Sequence, residues 1–244
     1  MLNNIKLQIS KLAMQPSEII KYVKKYENKN NNIIIFVHTC TKYEECRAKI
    51  IEKTWGNREN VVFITDNPNS TLKNFIYLGP YSKGALTYQP NTVVKMFNLF
   101  IEKYSNDYDW FMIIDDDSYL YVDRLKDYLK FYDPKDNLMI GTFLWRKCFY
   151  NDWVHGGPGI VFSLKCIINY LYIIRNVIVQ LSNHDVWLHD LWKSTLNTQY
   201  NTIKLIHCPG FYHTFESSKN KSLVISIHVE KKHLDKLYYF HNLK

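Results

Sequence analysis

The 244-residue chain contains no cysteine pair at C-x-x-C spacing, and its five cysteines, Cys40, Cys46, Cys148, Cys166 and Cys208, are an odd number. Neither a disulfide framework nor a zinc site is signalled, and buried free thiols are expected. There is no run of about 18 or more apolar residues, and residues 1–32 hold no apolar h-region, so the sequence shows neither a membrane anchor nor a secretory leader. A reducing, cytoplasmic setting is the corresponding expectation. Zinc-finger spacing, RNA-recognition motifs and internal repeats are also missing. The lysines are scattered apart from Lys24-Lys25 and Lys231-Lys232, so the net charge of +8 reads as a solvated basic surface and no nucleic-acid partner is expected. A phosphorylated small substrate would still benefit from a basic rim.

Hydrophobic residues at 46% and aromatics at 16% exclude a disordered chain, and the length suits one α/β domain with a large core. Residues 1–32 read as a helical extension, with Leu12, Ile19, Ile20 and Val23 at loosely helical spacing, and a polar Asn-rich connector. A single domain is expected over residues 33–244. Ile33-Ile34-Ile35-Phe36-Val37 is a wholly apolar, β-branched run, the pattern of a strand buried on both faces. Further strands are predicted at 61–65, 75–78, 110–114, 138–141 and 159–163, with others near Ile203 and Val224. Helices are predicted at 44–55, from Thr92 to Tyr104, and at 122–131, 164–180 and 185–196. Alternating units of this kind give a mostly parallel sheet whose ligands sit beyond the carboxyl ends of its strands.

Three consecutive aspartates, Asp115, Asp116 and Asp117, close the 110–114 strand. Adjacent carboxylates repel and raise one another's pKa, so a cation is expected to compensate them. Hard oxygen ligands suit Mn²⁺ or Mg²⁺, with phosphate oxygens and water completing the shell. A solvated acidic turn is the plain alternative. An EF-hand loop is excluded because Leu120 stands where its glycine belongs.

The segment Asp109-Trp110-Phe111-Met112-Ile113-Ile114-Asp115-Asp116-Asp117-Ser118-Tyr119, followed by Val122 and Leu125, resembles the DxD region of the fringe and core-1 β-1,3-galactosyltransferase family. Further blocks follow in the family's order: Thr54-Trp55 with Arg58, His155-Gly156-Gly157-Pro158-Gly159-Ile160, Asp185-Val186, and Ile225-Ser226-Ile227-His228. The resemblance covers roughly residues 33–240. It implies a GT-A, Rossmann-like α/β fold with a mostly parallel central sheet flanked by helices. It also implies an inverting transfer of a hexose or N-acetylhexosamine from a UDP-sugar to a glycan or protein hydroxyl, with a β-1,3 linkage and Mn²⁺ or Mg²⁺ as cofactor.

By the same resemblance, Asp117 is the direct metal ligand and His228 completes the site, with Asp115 and Asp116 holding the nucleotide or the metal's waters. His213, after another β segment, competes with His228. Thr39 and Arg47 match donor-binding positions loosely. Gly156 and Gly157 form a turn where backbone can approach a sugar, since glycine carries no Cβ. Trp153 could stack on a sugar or belong to the core. Asp185 is the candidate general base, with Asp190 second; an acid in the first turn of a helix is also favoured by the helix dipole alone. The chain departs from the family at Pro158, where alanine is usual, at His184, usually an acid, and at His189, usually glycine. Those departures favour one rival reading, a sugar- or nucleotide-binding module with weak catalysis. A metal-dependent phosphohydrolase is the other.

Overall fold

The computed structural model describes residues 9–22, 32–80, 88–144, 153–177, 179, 182–196, 202–212, 224–229 and 236–242. The apolar runs become a central sheet of strands β1 (Ile33–His38), β2 (Val61–Thr65), β3 (Phe75–Tyr77), β4 (Trp110–Asp115), β6 (Leu138–Leu144), β7 (Trp153–His155), β8 (Ile160–Ser163) and β9 (Lys204–His207). Its order is β3-β2-β1-β4-β8-β6-β7, with β9 also on β6. The pairs among β3, β2, β1 and β4 are parallel, as is β6 with β9, whereas β8 and β7 run against their neighbours. All six residues of β1 are buried, as expected for a strand covered on both faces.

Two apolar layers cover the sheet. On one face Phe36, Phe111 and Phe162 pack with Phe97 and Tyr170 from helices Tyr88–Lys103 and Leu164–Asn176. Edge-to-face rings of this kind add about 0.5–1.5 kcal/mol per pair beyond their area burial. The helix His184–Lys193 joins this layer through Trp187, Leu188 and Leu191. So does the amino-terminal segment: Ile9, Ala13, Met14 and Ile19 lie in the same cluster, and Asn98 bonds both the Met14 amide and the Leu12 carbonyl. The opposite face is covered by Ala48, Ile51, Trp55, Leu125 and Leu129, and by Leu237 and Phe240 of the terminal helix Lys236–His241.

Two features place the loops that matter. A small second sheet, order β10-β11-β5, joins β10 (Phe211–Tyr212), β11 (Ser226–His228) and β5 (Ser118–Leu120). In the main sheet Ile140 faces Val161 but Thr142 faces His155, so β6 advances two residues while its partner advances six. Four residues, Gly156 to Gly159, therefore loop out of an otherwise continuous edge. Gly159 closes the loop at φ +103°, a conformation that favours glycine, and a side chain there would collide with the end of Met112.

Several boundaries differ from the sequence reading. The helix expected from Thr92 begins at Tyr88, with Pro90 in its first turn where the missing N–H costs nothing. The helix expected to Gln180 ends at Asn176, and Ser163 caps its start by accepting from the Cys166 amide. The helix expected over 44–55 begins as a π-helical turn, Glu44–Ala48, and continues as Lys49–Lys53.

Candidate active site

β4 ends at Asp115, and the chain turns through Asp116 and Asp117 into β5. β1 pairs His38 with Asp115 in parallel, so both strands deliver their carboxyl ends to one edge, the usual location of ligands in such sheets. The Asp116 carboxylate is fully buried; it accepts the Thr39 hydroxyl at 2.8 Å and Arg47 Nη1 at 2.9 Å. The same nitrogen donates to Asp117 Oδ2 at 2.6 Å. Arg47 arrives from the π-helical turn, buried, with its guanidinium carbon 3.9 Å from the centre of the Tyr43 ring. Burial opposes its charge, but the carboxylates of Asp116 and Asp117 outweigh that penalty and hold its pKa above the usual arginine value.

The other oxygen of Asp117, Oδ1, lies 3.2 Å from His228 Nε2. This contact is made by backbone: β11 runs antiparallel to β5, placing His228 opposite Ser118, and the Val229 amide donates to the Asp117 carbonyl at 2.7 Å. Ser118 is tied on two sides, donating its hydroxyl to the Gly157 carbonyl at 2.7 Å and accepting the Trp55 indole N–H at 3.1 Å. Gly157 lies against both rings of a histidine pair, His155 and His228, whose centroids are 5.6 Å apart. A Cβ on Gly157 would meet His228 Cδ2 at 2.7 Å and His155 Cε1 at 2.8 Å.

Among the described residues no group of three or more His, Cys, Asp and Glu side chains converges as a metal cage. The Asp117 and His228 pair nonetheless fits two positions of an open site. Neighbouring ligands of a six-coordinate cation with bonds of about 2.1 Å lie about 3 Å apart. A hard divalent cation also customarily takes one or two carboxylates and draws its remaining ligands from phosphate and water. Asp115, half-buried, ends β4 on the face of Phe111 and Ile113, two residues before Asp117 in the chain.

Across the glycine loop stands Asp185, in the first turn of its helix. One of its oxygens accepts the Gly156 amide at 3.1 Å and the other the Val186 amide at 2.8 Å. Burial works to protonate it, but His184, the Gly156 amide, His155 and the Val186 amide together hold its pKa below the usual carboxylate value. Each oxygen keeps a further lone pair. His184 is buried, edge-on to His38 at 6.3 Å, and any side chain on Gly156 would collide with its ring.

The structure thus gathers Thr39, Arg47, Asp116, Asp117, Gly156, Gly157, Asp185 and His228 around one strand edge. Thr39 and Arg47 meet the aspartates there. Asp190 lies apart, half-buried toward Lys193, with its pKa raised by burial. His213 and the side chain of Trp153 lie outside the described residues. The roles of Arg47 as internal counter-charge and of Trp55 as a brace on Ser118 were not anticipated; the Thr54-Trp55 block pointed to the second only as a pattern.

A family model for fringe-like proteins matches residues 28–228. Over 152 residues, 57% of the chain, the sequence is 26% identical to a beta-1,3-glucosyltransferase of Mus musculus. Over 153 residues it is 23% identical to a beta-1,3-glucosyltransferase of Homo sapiens. The match spans 28% of the length of each of these relatives. A crystal structure of a glycosyltransferase involved in the glycosylation of the major capsid of PBCV-1 superposes with a TM-score of 0.53 at 10% identity, over 87% of this chain and 100% of that one. That likeness concerns the fold, which is the GT-A glycosyltransferase fold expected from the sequence. With the family match extending from before β1 to the end of β11, the chain belongs to the fringe-like family of glycosyltransferases.

Proposed function

We propose that the chain transfers a hexose or N-acetylhexosamine from a UDP-sugar to a hydroxyl of a glycan or protein, with inversion, a β-1,3 linkage and Mn²⁺ or Mg²⁺. The observation that carries this reading is the opposition of two devices across the Gly156-Gly157 loop: Asp117 with His228 on one side and the ionised Asp185 on the other. The beta-1,3-glucosyltransferase names of the two mammalian relatives support the linkage and make glucose the first donor to test.

In this reading Asp117 Oδ1 and His228 Nε2 are the cation's protein ligands and Asp115 contributes from the strand end. A divalent cation held there supplies positive charge to the departing diphosphate. Thr39, Arg47 and the buried Asp116 set the turn from behind and complete the donor site. Gly156 and Gly157 let the donor sugar approach backbone. Asp185 accepts the proton of the acceptor hydroxyl as that oxygen attacks the anomeric carbon from the face opposite the diphosphate.

The test is a UDP-sugar panel with Mn²⁺, reading UDP release with and without acceptors. Acceptor-dependent release that EDTA abolishes is expected. Full turnover in excess EDTA overturns the metal assignment, and phosphate release without any acceptor favours a phosphohydrolase. His228→Ala should weaken Mn²⁺ binding more than His213→Ala; the reverse ranking in metal titrations moves the ligand role to His213.

A further inference from the structure

The acid turn carries more negative charge than a divalent cation needs, and the chain already offsets part of it. Asp115, Asp116 and Asp117 bring three carboxylates, and Arg47 sets one guanidinium against two of them, at 2.9 Å and 2.6 Å. The charge left over is about that which one divalent cation neutralises. The contact is also specific in shape: a single nitrogen, Nη1, bridges Asp116 Oδ1 and Asp117 Oδ2, so Asp117 turns Oδ1 toward His228. The guanidinium is buried and stacked on Tyr43, which keeps this cation from being exchanged with solvent as a surface lysine would be.

We propose that Arg47 is a positioning residue that keeps the affinity of the Asp117 and His228 pair for a divalent cation low until a nucleoside diphosphate arrives. The inference rests on the reading of those two residues as cation ligands. A fixed positive charge beside the ligand carboxylate repels a free cation, and it attracts a diphosphate that brings its own negative charge. Cation and diphosphate attract each other directly, so they bind with positive coupling, and by linkage each strengthens the other by the same factor, while Arg47 sets how weakly the cation binds alone. Removing the arginine charge makes the cation alone bind more tightly and the diphosphate alone bind more weakly.

The experiment is isothermal titration of the full chain with Mn²⁺ alone and with Mn²⁺ in the presence of uridine diphosphate, on wild type, Arg47→Gln and the double variant Arg47→Gln with Asp116→Asn. For Arg47→Gln we expect Mn²⁺ alone to bind about tenfold tighter, because one nearby like charge has gone. The double variant removes the Arg47 and Asp116 charges together, leaves Asp117 facing His228, and restores the net charge of wild type. Its Mn²⁺ affinity should return to within about threefold of wild type on the same charge argument. A folded Arg47→Gln that binds Mn²⁺ no more tightly than wild type overturns the proposal. If that variant does not fold, a double variant whose affinity departs tenfold or more from wild type overturns it. A wild type that takes up no Mn²⁺ even with uridine diphosphate defeats the cation reading of Asp117 and His228 itself, a result distinct from either variant outcome.

Discussion

Asp185 accepts two backbone amides and stays ionised below the usual carboxylate range. Its replacement by asparagine keeps much of the shape while removing the proposed base. Asp185→Asn should lower turnover by about 10²- to 10⁴-fold with donor affinity nearly unchanged. Wild-type turnover in a folded Asn variant would leave only the helix-terminus role, worth about 0.3–1 kcal/mol. The pH dependence has a definite sign. Because the folded pKa is lowered, the stabilisation from this carboxylate is fully present above the unfolded value of about 3.9 and is lost as the pH falls through the folded pKa. The melting-temperature gap between wild type and Asp185→Asn should therefore close in acid, and a gap independent of pH would contradict the assignment. A second residue-scale test concerns Gly157. Its alanine variant places a Cβ 2.7 Å from His228 Cδ2, so the ring must move and Mn²⁺ binding should weaken, as read by metal titration.

At the scale of elements, the site depends on short pieces that brace one another. Trp55 donates to the Ser118 carbonyl directly after the acid turn, and Ser118 in turn holds Gly157. Trp55→Phe keeps the aromatic bulk but leaves a buried carbonyl without this donor, which should cost about 1–3 kcal/mol in denaturant unfolding and reduce turnover. An unchanged unfolding midpoint would show the brace to be idle. These links also mark where sequence reading stops. The β1 and β4 runs were legible because a whole apolar strand and the acids ending it are local patterns. β5, β10 and β11 have two or three residues each, too short for periodicity, and β5 exists through pairing with β11 more than 100 positions away, as in His228 with Ser118. The glycine block was visible, but its nature as four residues extruded from a strand edge follows only from the register with β6. Arg47 matched a donor-binding position only loosely, because nothing in its neighbourhood encodes aspartates 69 and 70 positions away.

Across the whole molecule, the terminal helix acts on the site from a distance. Phe240 is buried against Tyr119, with ring centroids 5.8 Å apart, and the Tyr119 hydroxyl lies 3.3 Å from His241 Nδ1. Phe240→Ala should cost about 3–5 kcal/mol in denaturant unfolding. Because Tyr119 sits on the strand paired with β11, Mn²⁺ binding should weaken with it, while a stability loss with unaltered metal titration would separate helix from site. The two apolar layers have a further consequence. His184 and Asp185 are mounted on the layer that includes Phe97 and Trp187, whereas Arg47 and His228 belong to elements of the other layer, with Ala48, Leu125 and Ile227. Inheritance can then act on them separately: substitutions accumulating beneath the wall that carries Asp185, the proposed base, can change that wall while the half that carries Arg47 and His228, the proposed cation side, passes on unaltered.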